Sequence, residues 1–245
     1  AFYRFADIEK NRVLTKAVYP KSFYEILKDK NFKFEEKQKD EIRLVSCDIS
    51  GMGSTTNNND ASVFSILKLV PSSDGKSYDK YVIDTMGLGL GVYDSLVTNL
   101  YNKERNVAYP AFSCINDPEM AKRCMEDDAP KVIYSIKASA QINNDMHVYT
   151  LDALKRGKLR LLIDENECKE VLLKYKGYEK LPVEEQVKFI QPYLQISLLA
   201  QEMVGLEKVD TNNNLIKLKE PSTKRKDRYS SVGYGVYVAK LLEKD

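Results

Sequence analysis

The segment Glu41-Ile-Arg-Leu-Val-Ser-Cys-Asp48 decides the fold class, because apolar and polar residues alternate along it and it ends in an aspartate. Such alternation is typical of a half-buried β-strand. Residues 62–70 and the short segment 81–84 are rich in branched and aromatic residues, and we predict that both are strands. The last of these segments again ends in an aspartate, Asp84.

Helical segments dominate the second half of the chain, where apolar residues recur with the spacing of one helix face. Gly157 is expected to end one of these helices, since glycine commonly follows the last helical residue. The predicted helices cover residues 92–102, 138–156, 165–175 and 183–206, with a last helix from 227 or 228 to 243, and further strands cover 132–136, 159–163 and 215–218. Short apolar strands mixed with amphipathic helices predict an α/β fold.

The domain organisation follows from the position of the first strong strand. We predict one domain over residues 41–245. Residues 1–40 are expected to form an N-terminal linker or extension, with short helices at 2–14 and 21–32 and a charge-rich end. No segment has the character of a signal peptide or of a membrane span, so we expect a cytoplasmic protein.

Composition excludes several classes of protein. The 245 residues are 43% hydrophobic and 30% charged, as in ordinary globular proteins. The net charge is only +2, so attraction to nucleic acid has to come from local clusters. No GxxxxGK[ST] sequence is present, which excludes a complete ATP-driven motor in this chain. Without a CxxC pair, and with a single histidine, the cysteines are expected to be reduced rather than bound to zinc.

Three aspartates occupy positions from which carboxylates can converge. Asp48 and Asp84 end predicted strands, and Asp227 lies at the predicted start of the last helix. Mg²⁺ takes oxygen ligands, and a two-metal nuclease needs a few carboxylates around ions about 3.5–4 Å apart. A plainer interpretation stays open, since aspartates often begin turns or cap helices. Asp60 is a possible auxiliary ligand, although it fits better as the end of a polar turn.

Two basic clusters are candidates for phosphate contacts, which would make DNA binding sensitive to salt. The first comprises Lys155, Arg156, Lys158 and Arg160, and the second comprises Lys224, Arg225, Lys226 and Arg228. Lys224, three residues before Asp227, could support the nucleophile or neutralise transition-state charge. Either cluster could equally be a solvated surface. We interpret His147 as a partly buried helix residue and not as a ligand.

From about Glu41 to its C-terminus, the chain resembles the nuclease domain of the bacteriophage terminase large subunit. The resemblance rests on the motifs RLVSCDIS, NDASVFSILKLV, YVIDTMGLGLGVYDSL, AYPAFSCINDPEMAKRC, DALKRGKLRLLI and KEPSTKRKDRYSSVGYG. It implies a ribonuclease H-like fold, with a mixed central sheet flanked by helices. It also implies that Asp48, Asp84 and Asp227 are the first, second and third catalytic acids and hold two Mg²⁺ or Mn²⁺ ions.

The resemblance further implies a setting and partners. The substrate would be concatemeric double-stranded DNA, cut during genome packaging in the cytoplasm of an infected bacterium. The partners would be an ATPase domain in the same full-length chain, a small terminase subunit and the portal. Residues 1–40 would then be the tail of the linker from that ATPase domain. Two alternatives stay open: a non-catalytic DNA-binding or portal-docking module, and a nuclease like the Holliday-junction resolvases.

One feature departs from the family pattern. The family has a third strand and a helix between the second strand and the strand that carries the second acid. Here only residues 71–80 separate Val70 from Tyr81, too few for a strand and a helix. The resemblance therefore implies that a segment is missing at this place. A sheet that lacked the strand could leave Asp84 away from Asp48.

Overall fold

The fold is described from a computed structural model of the chain. The structure describes residues 1–18, 36–39, 41–49, 62–70, 80–84, 89–174, 177–209, 214–222 and 225–243, with the backbone alone for residues 80–84. The chain is mixed α/β and divides into two compact units. The first unit comprises residues 1–36, 150–209 and 218–226, and the second comprises residues 37–149, 210–217 and 227–245.

Helices and strands are numbered separately along the chain. The helices are α1 (Phe5–Glu9), α2 (Gly89–Leu96), α3 (Pro118–Ala121), α4 (Ala140–Lys155), α5 (Glu165–Leu173), α6 (Val183–Gly205) and α7 (Asp227–Leu242), with a 3₁₀ turn at Tyr178–Lys180. The strands are β1 (Arg12–Leu14), β2 (Ile42–Asp48), β3 (Val63–Leu69), β4 (Lys80–Asp84), β5 (Leu100–Asn102), β6 (Val107–Tyr109), β7 (Ser113–Cys114), β8 (Lys131–Ile136), β9 (Leu161–Leu162), β10 (Glu207–Val209) and β11 (Lys217–Lys219).

The second unit is built on a five-stranded sheet with the order β3-β2-β4-β8-β7. β2 and β3 are antiparallel, from the pair Ile42–Leu69 to the pair Asp48–Val63. β2, β4, β8 and β7 run parallel to one another. The strands predicted at 41–48, 62–70, 81–84 and 132–136 are therefore confirmed, and four of the five strands end at the same edge of the sheet.

The register shows where the end of β3 and the start of β4 lie on the two sides of β2. Because β3 runs antiparallel to β2, its last residue Leu69 lies beside Ile42 at the amino end of β2. β4 begins at Lys80, which pairs with Leu44 near that same end. The end of β3 and the start of β4 lie on opposite sides of β2, so they are about two strand spacings apart, roughly 10 Å. The number of residues between Leu69 and Lys80 is sufficient to span that distance. The place of the predicted missing segment, residues 71–79, lies outside the described residues.

The last helix, α7, packs on β2 and β3. The Ser231 hydroxyl lies 2.9 Å from the carbonyl oxygen of Ser46 and 2.8 Å from the Ser65 hydroxyl. A Cβ atom added at Gly235 would lie 2.7 Å from Leu67 Cδ1, so any larger residue there would require the Leu67 side chain to shift. Elsewhere in the second unit, the buried cluster Tyr93, Val97, Cys114, Met120 and Ile133 forms a core.

The first unit contains the N-terminal residues as an integral part. β1 pairs in parallel with β9, and the Leu161 N–H donates to the carbonyl of Asn11 at 2.8 Å. The buried Asn11 amide donates to the carbonyls of Asp7 and Leu154. The helix predicted at 2–14 is wrong over its second half, which forms β1 because it pairs with a distant strand. The helix predicted at 21–32 lies outside the described residues.

Two predicted helix ends have opposite outcomes. α4 ends at Lys155 and Gly157 has a φ of +68°, so the predicted stop at this glycine is confirmed. The helix predicted at 92–102 instead ends at Leu96, and Leu100–Asn102 forms β5, which pairs with β6. Within the described part of the chain, no helix combines the length and apolarity that crossing a bilayer requires.

Candidate active site

The carboxyl ends of β2 and β4 place two of the predicted acids side by side. These strands are parallel neighbours, and their last registered pair is Cys47–Ile83. Asp48 and Asp84 are the next residues on each strand. Neighbouring strands lie about 4.8 Å apart, so the two backbone positions are adjacent at the sheet edge. The structure describes only the backbone of Asp84, and Asp48 is half-buried.

α7 brings the third acid towards the same edge. Ser231 lies over Ser65, and Gly235, one turn later, lies against Leu67 further along β3. α7 therefore runs along β3 and opposite to β2. Asp227 lies one turn before Ser231, about 6 Å back along the helix. This displacement matches the roughly 6.6 Å that separate Ser46 from Asp48 along β2.

Strand alternation places Asp48 on the face of the sheet that α7 covers. Side chains at alternate positions share a face, and Ser46 lies beneath Gly235. Asp48 therefore shares that face with Ser46, whereas Cys47 lies on the other. Burial, and to a smaller extent the charge of the Asp48 carboxylate, raise the pKa of the Cys47 thiol to about 12. A thiol held in this form is a structural residue and not a nucleophile.

The structure does not describe every side chain of the predicted site. Asp60 and Lys224 lie outside the described residues. Among residues whose side chains are described, no group of three or more His, Cys, Asp or Glu side chains is arranged to hold a metal ion. The side chain of Asp84 is not part of that set. The convergence of the three aspartates therefore rests on backbone positions.

The predicted basic residues fall in different places. Lys155, Arg156 and Lys158 are exposed at the C-terminal end of α4, in the first unit, and Arg156 pairs with Asp152 at 2.7 Å. Arg225, Lys226 and Arg228 are half-buried around the start of α7. Lys226 pairs with Glu220 at 2.9 Å. The Arg228 position directly follows Asp227, at the start of the helix that approaches Asp48.

His147 is a buried member of the second unit. Its Nδ1 atom forms a short hydrogen bond with the hydroxyl of Tyr229, and the two rings stack with centroids 5.7 Å apart. Both residues are buried, which agrees with the predicted role of His147 as a helix residue. Because Tyr229 lies two residues after Asp227, the pair ties α4 to the first turn of α7.

A polar cluster at the carboxyl ends of β7 and β8 was not predicted from the sequence. The Asn116 amide donates to the carbonyl of Ser135 at 2.8 Å and accepts from its N–H at 2.9 Å. Asp117 accepts from two backbone N–H groups of α3 and pairs with Lys137 at 2.6 Å. Lys137 directly follows the last residue of β8, whereas Asp48 and Asp84 are the last residues of their strands. Its place just after a predicted strand was the available signal.

Comparisons of the chain with protein-family models, with curated proteins and with solved structures gave no match. The functional interpretation therefore rests on the sequence motifs and on the geometry of the second unit.

Proposed function

We propose that this chain is a metal-dependent DNA endonuclease domain of the terminase large-subunit kind, with a ribonuclease H-like fold. The observation that carries the proposal is the parallel pairing of β2 with β4, which sets Asp48 next to Asp84. The sequence left open the possibility that Asp84 lies away from Asp48, but β4 pairs directly with β2. The placement of Asp227 by α7 adds a third carboxylate from a distant part of the chain.

The donor set fits hard divalent cations. Carboxylate oxygens are the ligands that Mg²⁺ and Mn²⁺ prefer, and the proposed ligands come from the ends of two neighbouring strands and from the start of a helix. Such cations would supply a Lewis acid and an activated water for in-line attack on the phosphodiester. The roles left to the protein are to hold the ions through Asp48, Asp84 and Asp227 and to bind the DNA backbone beside them.

The substrate and partners in this proposal come from the resemblance. Double-stranded DNA would be cut with little sequence preference, because phosphate contacts carry no sequence information. An ATPase domain of the same full-length chain, a small terminase subunit and the portal would deliver and position the DNA. The host cytoplasm would be the place of action.

Plasmid nicking tests the proposal. The parent chain is expected to cut supercoiled DNA in Mn²⁺, and Asp48→Asn, Asp84→Asn and Asp227→Asn are each expected to lower the rate on the order of a hundredfold or more. Asp128→Asn is the matched control, since Asp128 is exposed just before the amino end of β8, at the opposite edge. Circular dichroism would confirm that each variant is folded.

The decisive comparison is between the three variants and the control. If the three aspartate variants cut as fast as the parent, the proposed site is wrong. If Asp128→Asn loses as much activity as they do, the loss reflects a general effect of charge and not a site at the carboxyl edge.

A further inference from the structure

The carboxyl edge of the sheet continues past the proposed acids to a lysine. Asp84 registers with Ile136 on β8, and Lys137 is the next residue. Because the strands are parallel, Asp48, Asp84 and Ile136 follow one another along this edge. Lys137 lies one residue beyond Ile136, on the side of β8 where α3 packs and not on the side that α7 covers. At about 4.8 Å per strand, the β2 and β8 positions lie roughly 10 Å apart.

Lys137 is held in place by an ion pair with a fixed carboxylate. Its ammonium lies 2.6 Å from Asp117 Oδ2. The other oxygen of Asp117 accepts from the N–H groups of Glu119 and Met120, at 3.0 and 3.2 Å, so the carboxylate itself is fixed. The preceding residue, Asn116, is fixed in turn by its two hydrogen bonds with the Ser135 backbone.

The Lys137 ammonium is nevertheless accessible. Its side chain is 59% exposed, against 18% for Asp117. The Asp117 carboxylate raises the pKa of Lys137, so the group carries its positive charge at neutral pH. A fixed and exposed ammonium is suited to a phosphate, which lysine binds as a point charge.

We propose that Lys137 binds a backbone phosphate of the DNA strand that flanks the scissile phosphodiester. This inference rests on the proposed nuclease function and adds a DNA contact to it. Phosphates follow one another by about 3.4 Å of helix axis in each strand, so a contact roughly 10 Å from Asp48 falls a few nucleotides from the cut. Lys137 therefore acts in binding and does not touch the reacting atoms.

The test is the salt dependence of DNA binding by the full chain, measured by fluorescence anisotropy with a duplex in EDTA, which prevents cutting. Lys137→Met is expected to lower the slope of log K against log salt by about 0.9, the value for one lost phosphate contact. Lys137→Arg keeps the charge and is expected to retain the parent slope. Lys131→Met is the matched control, because Lys131 is exposed at the amino end of the same strand.

Cleavage kinetics provide the second measurement. Lys137→Met is expected to raise KM about fivefold, as for a modest ionic contact. Its kcat should stay within about twofold, since uniform binding changes KM alone. If the parent cuts DNA but Lys137→Met retains the parent slope and KM, this inference is overturned and the nuclease proposal stands. If the parent neither binds nor cuts DNA, both are overturned.

Discussion

Glu41 is the most deeply buried charge of the described part of the second unit, and it anchors the start of β2. Its carboxylate pairs with Arg43 at 2.5 Å and with Lys68 on β3 at 3.7 Å. Burial pushes the pKa of Glu41 upwards, but the hydrogen bonds from Arg43 and from the Gln38 N–H, with the charge of Lys68, bring it below the ordinary 4.5. The ion pairs at the start of β2 therefore require Glu41 to be ionised.

We expect Glu41→Gln to lower the free energy of unfolding by about 3 kcal/mol, because it removes the charged partner of Arg43 from a buried ion pair. Urea denaturation at pH 7 would measure the loss. Glu119→Gln is the control, since Glu119 pairs with Lys122 at 2.6 Å but is 76% exposed, and it should cost less than about 1 kcal/mol. Equal losses in both variants would contradict the role of burial.

The sign of the pH dependence follows from the lowered pKa. A carboxyl group whose pKa is lower in the folded state stabilises the fold fully above its unfolded-state value. That contribution is lost as the pH falls through the folded-state pKa. The stability gap between the parent and Glu41→Gln should therefore be constant near neutral pH and narrow below pH 4.5, the ordinary value of a glutamate.

At the scale of elements, the contact between α7 and the sheet depends on a glycine. A Cβ atom at Gly235 would lie 2.7 Å from Leu67 Cδ1 and 3.2 Å from Ser46 Cβ. The leucine end can move, but the Ser46 Cβ is fixed to the strand. We expect Gly235→Ala to destabilise the protein by about 1 kcal/mol, since a strain of about 1–3 kcal/mol exceeds the gain in helix propensity.

Gly91 in α2 is the matched control for this prediction. A Cβ atom there would meet nothing within 4 Å. Gly91→Ala should therefore show the helix-propensity gain alone and stabilise the protein by about 0.5–1 kcal/mol. Thermal or urea unfolding would give both values. If Gly235→Ala and Gly91→Ala both stabilise or both destabilise the protein, the close approach of α7 to β2 is contradicted.

The elements also show what a sequence can predict. β2 and β3 were predictable because their own residues carry the strand pattern. β5 was not, since the apolar spacing of α2 continues into Leu100–Asn102 and only pairing with β6 makes that segment a strand. The adjacency of Asp48 and Asp84 depends on which strands pair, a property of the whole sheet that no local pattern contains. Lys137 was missed for a related reason, because its fixed position depends on Asp117 of another segment.

At the scale of the molecule, the N-terminal residues belong to a compact unit that also contains much later parts of the chain. Residues 1–36 group with residues 150–226 in the first unit, apart from residues 210–217. The contacts explain this grouping: the Tyr193 hydroxyl donates to the carbonyl of Thr15 at 2.8 Å, and Ala17 is part of a buried cluster with Ile163 and Cys168. An N-terminal stretch that contributes core residues is expected to unfold with its unit.

Two of the three aromatic residues among residues 1–5, Tyr3 and Phe5, test this expectation as a matched pair. Tyr3 is fully buried, whereas Phe5 is 59% exposed. Tyr3→Ala should cost about 3 kcal/mol or more, as for other buried aromatic residues, and Phe5→Ala much less. Since compact units can open separately, hydrogen exchange after Tyr3→Ala should accelerate in α5 and α6 while β2 and β8 keep their protection. Equal acceleration in both units would show that they unfold as one, and no acceleration in α6 would mean that the N-terminal residues are only an appendage.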